Sequence, residues 1–448
     1  MNPVDQQGAP TQFAPLVQGR ADRRAVRRRI RLRGEDQLTK GAVNLMANTA
    51  VTGLLGVVFW AAAARLYSAA QVGRDSALIN AMLMLSAICQ LNLIDSLIRF
   101  LPTLAHRRRA RAVALAYAAG SVAAVFGGGA FVLLAPGVTQ RLHFLRSDSS
   151  LAMVFVLATV LWGVFNLQDA ALTAMRRTSW VLAENSAFSL AKVAALPLLV
   201  GLIGHGVYVA WILPPLFLIP IVNWLLFTRV LGRDGGPEPE ANRDRGLVLG
   251  SVLRFLAQDY VSHVLRIASF GLIPLIVLAR LGDSASAYFS IPFALIVALD
   301  LLFHNVTTSL TVEGALDMQR VRELTHTVVR RFLIWQVPLT ALVVLAAPLL
   351  LLPFGSAYAR LGAGPLRILA LTLLPRSAIY LLQALARLRA RGLPIILSEA
   401  TIFIVSAGGA IALARGLGLD GAALAWLIGN GGVALVILPW LVRYLRRA

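Results

Sequence analysis

Twelve apolar runs of membrane-spanning length constrain this chain more than any other feature. They lie at about 43–64, 76–98, 112–135, 151–172, 179–203, 207–228, 250–279, 285–309, 332–353, 366–386, 393–413 and 421–442. Inside lipid every backbone N–H and C=O must find its partner within the protein, so runs of this length fold as helices. Soluble domains are nearer 25% charged. At 58% hydrophobic and 14% charged, this chain reads as an all-α integral membrane protein with about 12 transmembrane helices.

Charge gives the orientation. Of the 42 lysines and arginines, roughly three quarters fall on one side of these runs, which predicts cytoplasmic termini in a bacterial cytoplasmic membrane. Residues 1–41 read as a retained cytoplasmic tail whose arginines, Arg23 to Arg33, suit anionic lipid. The formal charge of +21 does not point to nucleic acid, because the basic residues sit in short clusters between apolar runs. With Cys89 as the single cysteine, no intrachain disulfide can form.

The stretch 229–246 mixes Gly, Pro and charge without an apolar run and reads as a linker between lobes at 42–228 and 247–443, with a basic tail at 444–448. The lobes repeat one another. At one constant spacing Gly56 matches Gly271, Arg65 matches Arg280, Gln168 matches Gln383, Arg176 matches Arg391, Glu184 matches Glu399 and Trp211 matches Trp426. Six helices per lobe is an even number, so the copies form a parallel repeat about an axis along the membrane normal.

Ionisable residues within the runs are the functional candidates, since a charge at membrane depth is costly unless paired or wetted. Between 247 and 310 these are Arg254, Asp259, His263, Arg266, Asp300 and His304. Arg266 and Asp300 are equidistant from the turn near Asp283, roughly 25 Å along their helices. The matched depth allows a fixed Arg266–Asp300 salt bridge between the two helices. Arg254, by comparison with Lys40, falls where its side chain can snorkel to water.

Lys192 is a second cation at depth, on nearly the same helix face as Glu184, where the two could form a buried polar face. Arg376 is a third, following Pro375, where a broken turn would bare carbonyls to a cavity. Asn48, with Asn44, Thr49 and Thr52, could line a cavity or bond neighbouring helices. Asp259, Asp300, His263, His304, Glu184 and Glu399 could relay a coupling proton or sodium ion, although helix-end capping of the basic loops also suits the two glutamates. Asp95 and Arg99, four apart, read as an interfacial ion pair. His263 and His304 lack a third residue spaced for metal.

The run FWAAAARLYSAAQVG (Phe59 to Gly73), LIRFLP (Leu97 to Pro102), the stretch Leu182 to Lys192, and the segments Gly204 to Trp211 and Leu419 to Trp426 resemble bacterial polysaccharide flippases of the O-antigen type. Their superfamily also contains multidrug and toxin extrusion transporters and lipid II flippases. The resemblance implies a V-shaped pair of six-helix lobes that moves a polyprenyl-diphosphate-linked oligosaccharide across the membrane by alternating access, with Arg266, Lys192 and Arg376 as the candidate phosphate contacts and Asn48 as a candidate contact for sugar hydroxyls. Lipid II flippases usually have two further helices, which this chain lacks.

A multidrug exporter is the nearer rival, and a polysaccharide polymerase or ligase a more distant one, because the loops on the less basic side are short. No ATP motif, zinc pattern or phosphate-cradling Gly-rich loop is present, so no cofactor is expected. Cysteines placed in 229–246 are expected to resist an impermeant thiol reagent applied to intact cells. Labelling from outside would reverse the topology.

Overall fold

The computed structural model describes residues 43–231, 249–316, 321–389 and 391–446. Among these, 10 helices are long and apolar enough to cross a membrane. In the first lobe they are α1 (Val43–Leu66), α2 (Ala69–Cys89), α3 (His106–Val138) and α4 (Ser149–Ala174). There follow α5 (Thr178–Leu199), which Glu184, Asn185 and Lys192 make less apolar than the others, and α6 (Gly206–Leu225).

The second lobe holds α7 (Leu249–Leu281), α8 (Asp283–Leu316), α9 (Val321–Phe354) and α10 (Ala363–Leu388). Its last helical run, Leu393–Arg446, is broken at Gly418 (φ 61°, ψ −137°) into α11 (393–417) and α12 (419–446). Adding α5 and counting this run as two helices gives the six-plus-six arrangement that the sequence predicts.

Local chemistry sets the turns. A reciprocal cap between Ser68 and Gln71 starts α2, and the Asp148 side chain accepts from Ser150 N (3.0 Å) and Leu151 N (3.1 Å) to start α4. Gly282 (φ +101°) reverses α7 into α8 in a single residue, at the turn expected near Asp283. The expected span 76–98 is corrected: α2 stops at Cys89, Leu91 and Asn92 take positive φ, and a separate short helix Leu93–Phe100 follows. Helical structure also continues through Val230 and reaches Arg446, so the linker starts later than 229 and residues 444–446 are no free tail. Residues 1–42 and 232–248, which hold the basic tail and most of the linker, lie outside the described residues, as does the Arg254 side chain.

The lobes meet along α2, which packs against α7 and α8, and one apolar cluster runs through the seam from Phe59 and Met82 to Ile273 and Phe289. The basic loops mark one end of the bundle. The seam is closed at the opposite, far end. There a Cβ on Gly73 would overlap the Asp283 carbonyl, and Ser286 Oγ donates to Gly73 O (3.2 Å). Arg74 pairs with Asp283 (3.2 Å), and Arg141 approaches the same carboxylate (4.0 Å). Arg65 reaches across from α1 to the carbonyls of Pro353 (3.0 Å) and Leu352 (3.1 Å).

Gly73→Val is therefore expected to prise the far end apart. In a background with cysteines at 65 and 353, a short bifunctional reagent should cross-link the protein with Gly73 efficiently and the valine variant poorly. Equal cross-linking would show that this close approach does not hold the end shut.

Candidate functional site

Toward the basic end the lobes part around a polar chamber of about 390 Å³. Asp259, His263 and Arg266 recur at helical spacing, so they form one stripe on α7, and His304, Thr308 and Thr311 form a second stripe on α8. Asp95 on the short helix, Arg387 on α10 and Glu399 on α11 complete the walls. Five predicted candidates, Arg266, Asp259, His263, His304 and Glu399, thus meet in one space. Asp259 is paired with Arg387 (3.6 Å). Arg266 Nη2 lies 3.3 Å from His263 Nδ1, and among the described residues neither Arg266 nor Asp95 makes an ion pair. Asp95 points into this chamber while Arg99 lies over the Phe100 ring (5.4 Å), so the expected pair between them does not form.

The predicted Arg266–Asp300 bridge is also corrected. Asp300 accepts from Arg376 Nε (2.7 Å) and Tyr380 Oη (2.5 Å), and the same guanidinium donates to Asn430 Oδ1 (3.0 Å) and to Tyr380 Oη. Equal depth fixes height along two helices and says nothing of azimuth: Arg266 faces the chamber, whereas Asp300 faces α10. The Arg376 guanidinium is further packed against Phe270 (4.7 Å) and Trp426 (5.5 Å). The helix is interrupted at Thr372, just before Pro375, and one carbonyl there, Leu373 O, accepts from Gln336 Nε2 (2.5 Å).

Lys192 sits apart from the chamber, inside the first lobe. Its Nζ lies over the rings of Trp211 (3.8 Å), Phe188 (4.6 Å) and Phe59 (5.2 Å), and it makes no ion pair among the described residues. Glu184 is not its partner but accepts from Gln168 Nε2 (2.5 Å). The matched Glu399 accepts from Gln383 Nε2 (2.7 Å). Both glutamates are buried in these helix-to-helix bonds, so neither caps a basic loop. Asn48 is not among the chamber residues; its carbonyl accepts from Thr52, and its Oδ1 is buried without a hydrogen-bond partner.

Residue-by-residue reading missed Arg387, Tyr380, Asn430 and a buried acid, Asp75. The last accepts from His205 Nδ1 (2.7 Å), Val207 N (3.0 Å) and Tyr208 N (3.1 Å), capping α6 from α2. Asp75 falls in a loop-like stretch of sequence, and only the fold brings it under the start of α6.

A second, apolar chamber of about 360 Å³ adjoins the polar one at Ala87 and extends along the seam. Trp60, Trp211, Phe270 and Phe293 line it, with Asn80 as one of its few polar groups. The cleft is therefore amphipathic along its length: charges and water-sized space toward the basic end, aromatic rings deeper in.

No protein-family model matches the sequence. No curated protein matches it either. Solved structures share its fold. The chain is similar to an inward-facing multidrug resistance MATE family transporter of the MOP superfamily, with TM-score 0.63 at 13% identity over 91% of this chain and 99% of that one. An outward-facing conformation of such a transporter gives TM-score 0.58 at 15% identity, covering 91% and 95%. A MOP superfamily transporter from Pyrococcus furiosus, described as having a binding pocket of reversed polarity, gives 0.58 at 15% identity over the same shares.

Leaving Arg376 buried without its carboxylate should cost about 3 kcal/mol, whereas apolar residues at both positions leave no unpaired charge. Asp300→Ala is thus expected to lower the melting temperature in detergent more than the Asp300→Leu, Arg376→Met double variant does. Equal losses would show that the pair contributes more than mutual neutralisation.

Proposed function

We propose that the protein is an alternating-access transporter that carries amphiphilic molecules through the cleft between its lobes, and that its cargo is a lipid-linked oligosaccharide. The observation that carries this reading is Arg266: a guanidinium facing a polar chamber, bridged to no carboxylate among the described residues, beside an apolar aromatic chamber. Guanidinium grips phosphate with paired hydrogen bonds, which suits a diphosphate head. The chamber hydroxyls and amides suit sugars, and the aromatic chamber suits the first isoprene units. Arg376 does not serve as a phosphate contact in this arrangement, since Asp300 and Asn430 already hold it. Asp259, His263, His304 and Glu399 line the same chamber and are the candidates for a proton or sodium relay. The charge bias supports a bacterial cytoplasmic membrane with the basic end inside.

A multidrug antiporter is the second reading. It is favoured by the unpaired Asp95 carboxylate, by four aromatic residues in the adjoining chamber, and by the MATE transporters that share the fold. A cationic drug would use Asp95 where the anionic lipid would use Arg266.

Proteoliposomes separate the two. Transbilayer movement of a fluorescent polyprenyl-diphosphate oligosaccharide, measured with and without imposed proton and sodium gradients, is expected to depend on the protein and to fall at least about tenfold in Arg266→Ala, the loss of one charge-assisted contact, while Asp95→Asn retains it. Dye transport that needs Asp95 and ignores Arg266, without lipid movement, would replace the first reading with the second.

A further inference from the structure

On the lipid-facing side of the second lobe, at the basic end, the end of α10, the start of α11 and α12 enclose a groove of about 260 Å³. Its floor is apolar, formed by Leu382, Leu385 and Ile437, and its open side is edged by Val436, whose side chain is 81% exposed. Its mouth carries Arg389, Arg391 and Trp440. Both arginines are exposed, and neither meets a carboxylate among the described residues. Arg389 lies over the Tyr444 ring (5.4 Å), and Trp440 stacks on the same ring (5.7 Å between centroids), so an aromatic pair holds one cation at the lip.

The internal repeat supplies a control within the same molecule. At the spacing that relates the lobes, Leu382, Ala386 and Ile437 correspond to Leu167, Ala171 and Val222 of the first lobe. There the same positions belong to a packed cluster with Tyr117, Trp180 and Phe227. The two lip residues differ in kind as well: Arg389 stands where the first lobe has Ala174, and Trp440 where it has Leu225. Leu382 and Ile437 belong to a packed cluster too, so what sets the second lobe apart is a cation and an interfacial aromatic at two positions where the first lobe has alanine and leucine.

We propose that this groove binds an anionic phospholipid of the surrounding leaflet, with the phosphate on Arg389 and Arg391, the interfacial region against Trp440, and one acyl chain along Leu382, Val436 and Ile437. Guanidinium pairs match phosphate geometry, tryptophan favours the headgroup level, and the apolar floor continues from the lip toward the membrane interior. The site is separate from the cleft and does not depend on what the cleft carries.

The test is lipid binding to the full-length, delipidated protein in detergent, read by native mass spectrometry with phosphatidylglycerol and phosphatidylcholine as probes. The protein should retain phosphatidylglycerol in preference to phosphatidylcholine. At about 1 kcal/mol per arginine near an anionic surface, the Arg389→Ala, Arg391→Ala double variant should bind phosphatidylglycerol about thirtyfold more weakly. Val436→Trp, which fills the groove and leaves both cations in place, should also lose the lipid at an unchanged melting temperature, while Arg176→Ala in the first lobe should bind as the parent does. The N-terminal arginines are present in every variant, so differences between variants belong to the groove. Equal retention by the parent and the double variant, equal retention of both lipids, or undiminished binding in Val436→Trp would each overturn the proposal.

Discussion

A charge placed in a membrane has to be paired, hydrogen-bonded or wetted, and the arrangement of helices in this protein follows from how each charge meets that demand. Inside the second lobe Asp300 and Arg376 neutralise one another and are sealed by Tyr380, Asn430 and Trp426. Inside the first lobe Lys192 is held by three aromatic rings, whose faces attract a desolvated cation. These solutions stay within their lobes and tie α8 to α10 and to α12, and α5 to α1 and to α6. What remains, Arg266 and Asp95 above all, faces the space between lobes, and that space is polar because nothing in either lobe completes these residues.

The duplicated halves solve the same problem twice with different parts. The Gln-to-Glu bond is retained in both, Gln168 with Glu184 and Gln383 with Glu399, and so is the tryptophan beneath a cation, Trp211 and Trp426. The cation itself comes from α5 in one lobe and α10 in the other, and only the second has a carboxylate against it. A helix bundle tolerates this exchange because what a buried cation requires is an aromatic face or a counter-charge, and the tryptophan face is reachable from either neighbouring helix.

The apolar runs apart from 76–98, the turn near Asp283, the two-lobe repeat and the candidacy of Asp259, His263 and Arg266 on one helix were legible in the sequence, because hydropathy and residue spacing are local properties. The partnership of Asp300 was not. Depth along a helix can be counted from a turn, but which neighbour a side chain faces depends on how α8 and α10 pack. Asp75 escaped for a related reason: its partners are the first N–H groups of α6, far along the chain, and no local motif announces them. The break at Leu91 and Asn92 was hidden as well, since neither is a glycine and the surrounding run is apolar.

The seam between the lobes combines two contacts of different character. Along α2, α7 and α8 it is apolar, and in a bilayer such a surface gains little from the hydrophobic effect because lipid tails are as apolar as the residues they would replace; packing alone holds it. At the far end it is fastened by hydrogen bonds and ion pairs of Arg65, Arg74 and Ser286 near the water, each worth about 1 kcal/mol or less. The buried network around Asp300 costs several times more to open, about 3 kcal/mol or above for one lost partner. Taken singly, each far-end contact is thus weaker than a lost partner in the buried network inside the lobe. That ordering of strengths is what a two-lobed molecule needs if its cleft is to close at one end and open at the other while each six-helix bundle moves as a unit.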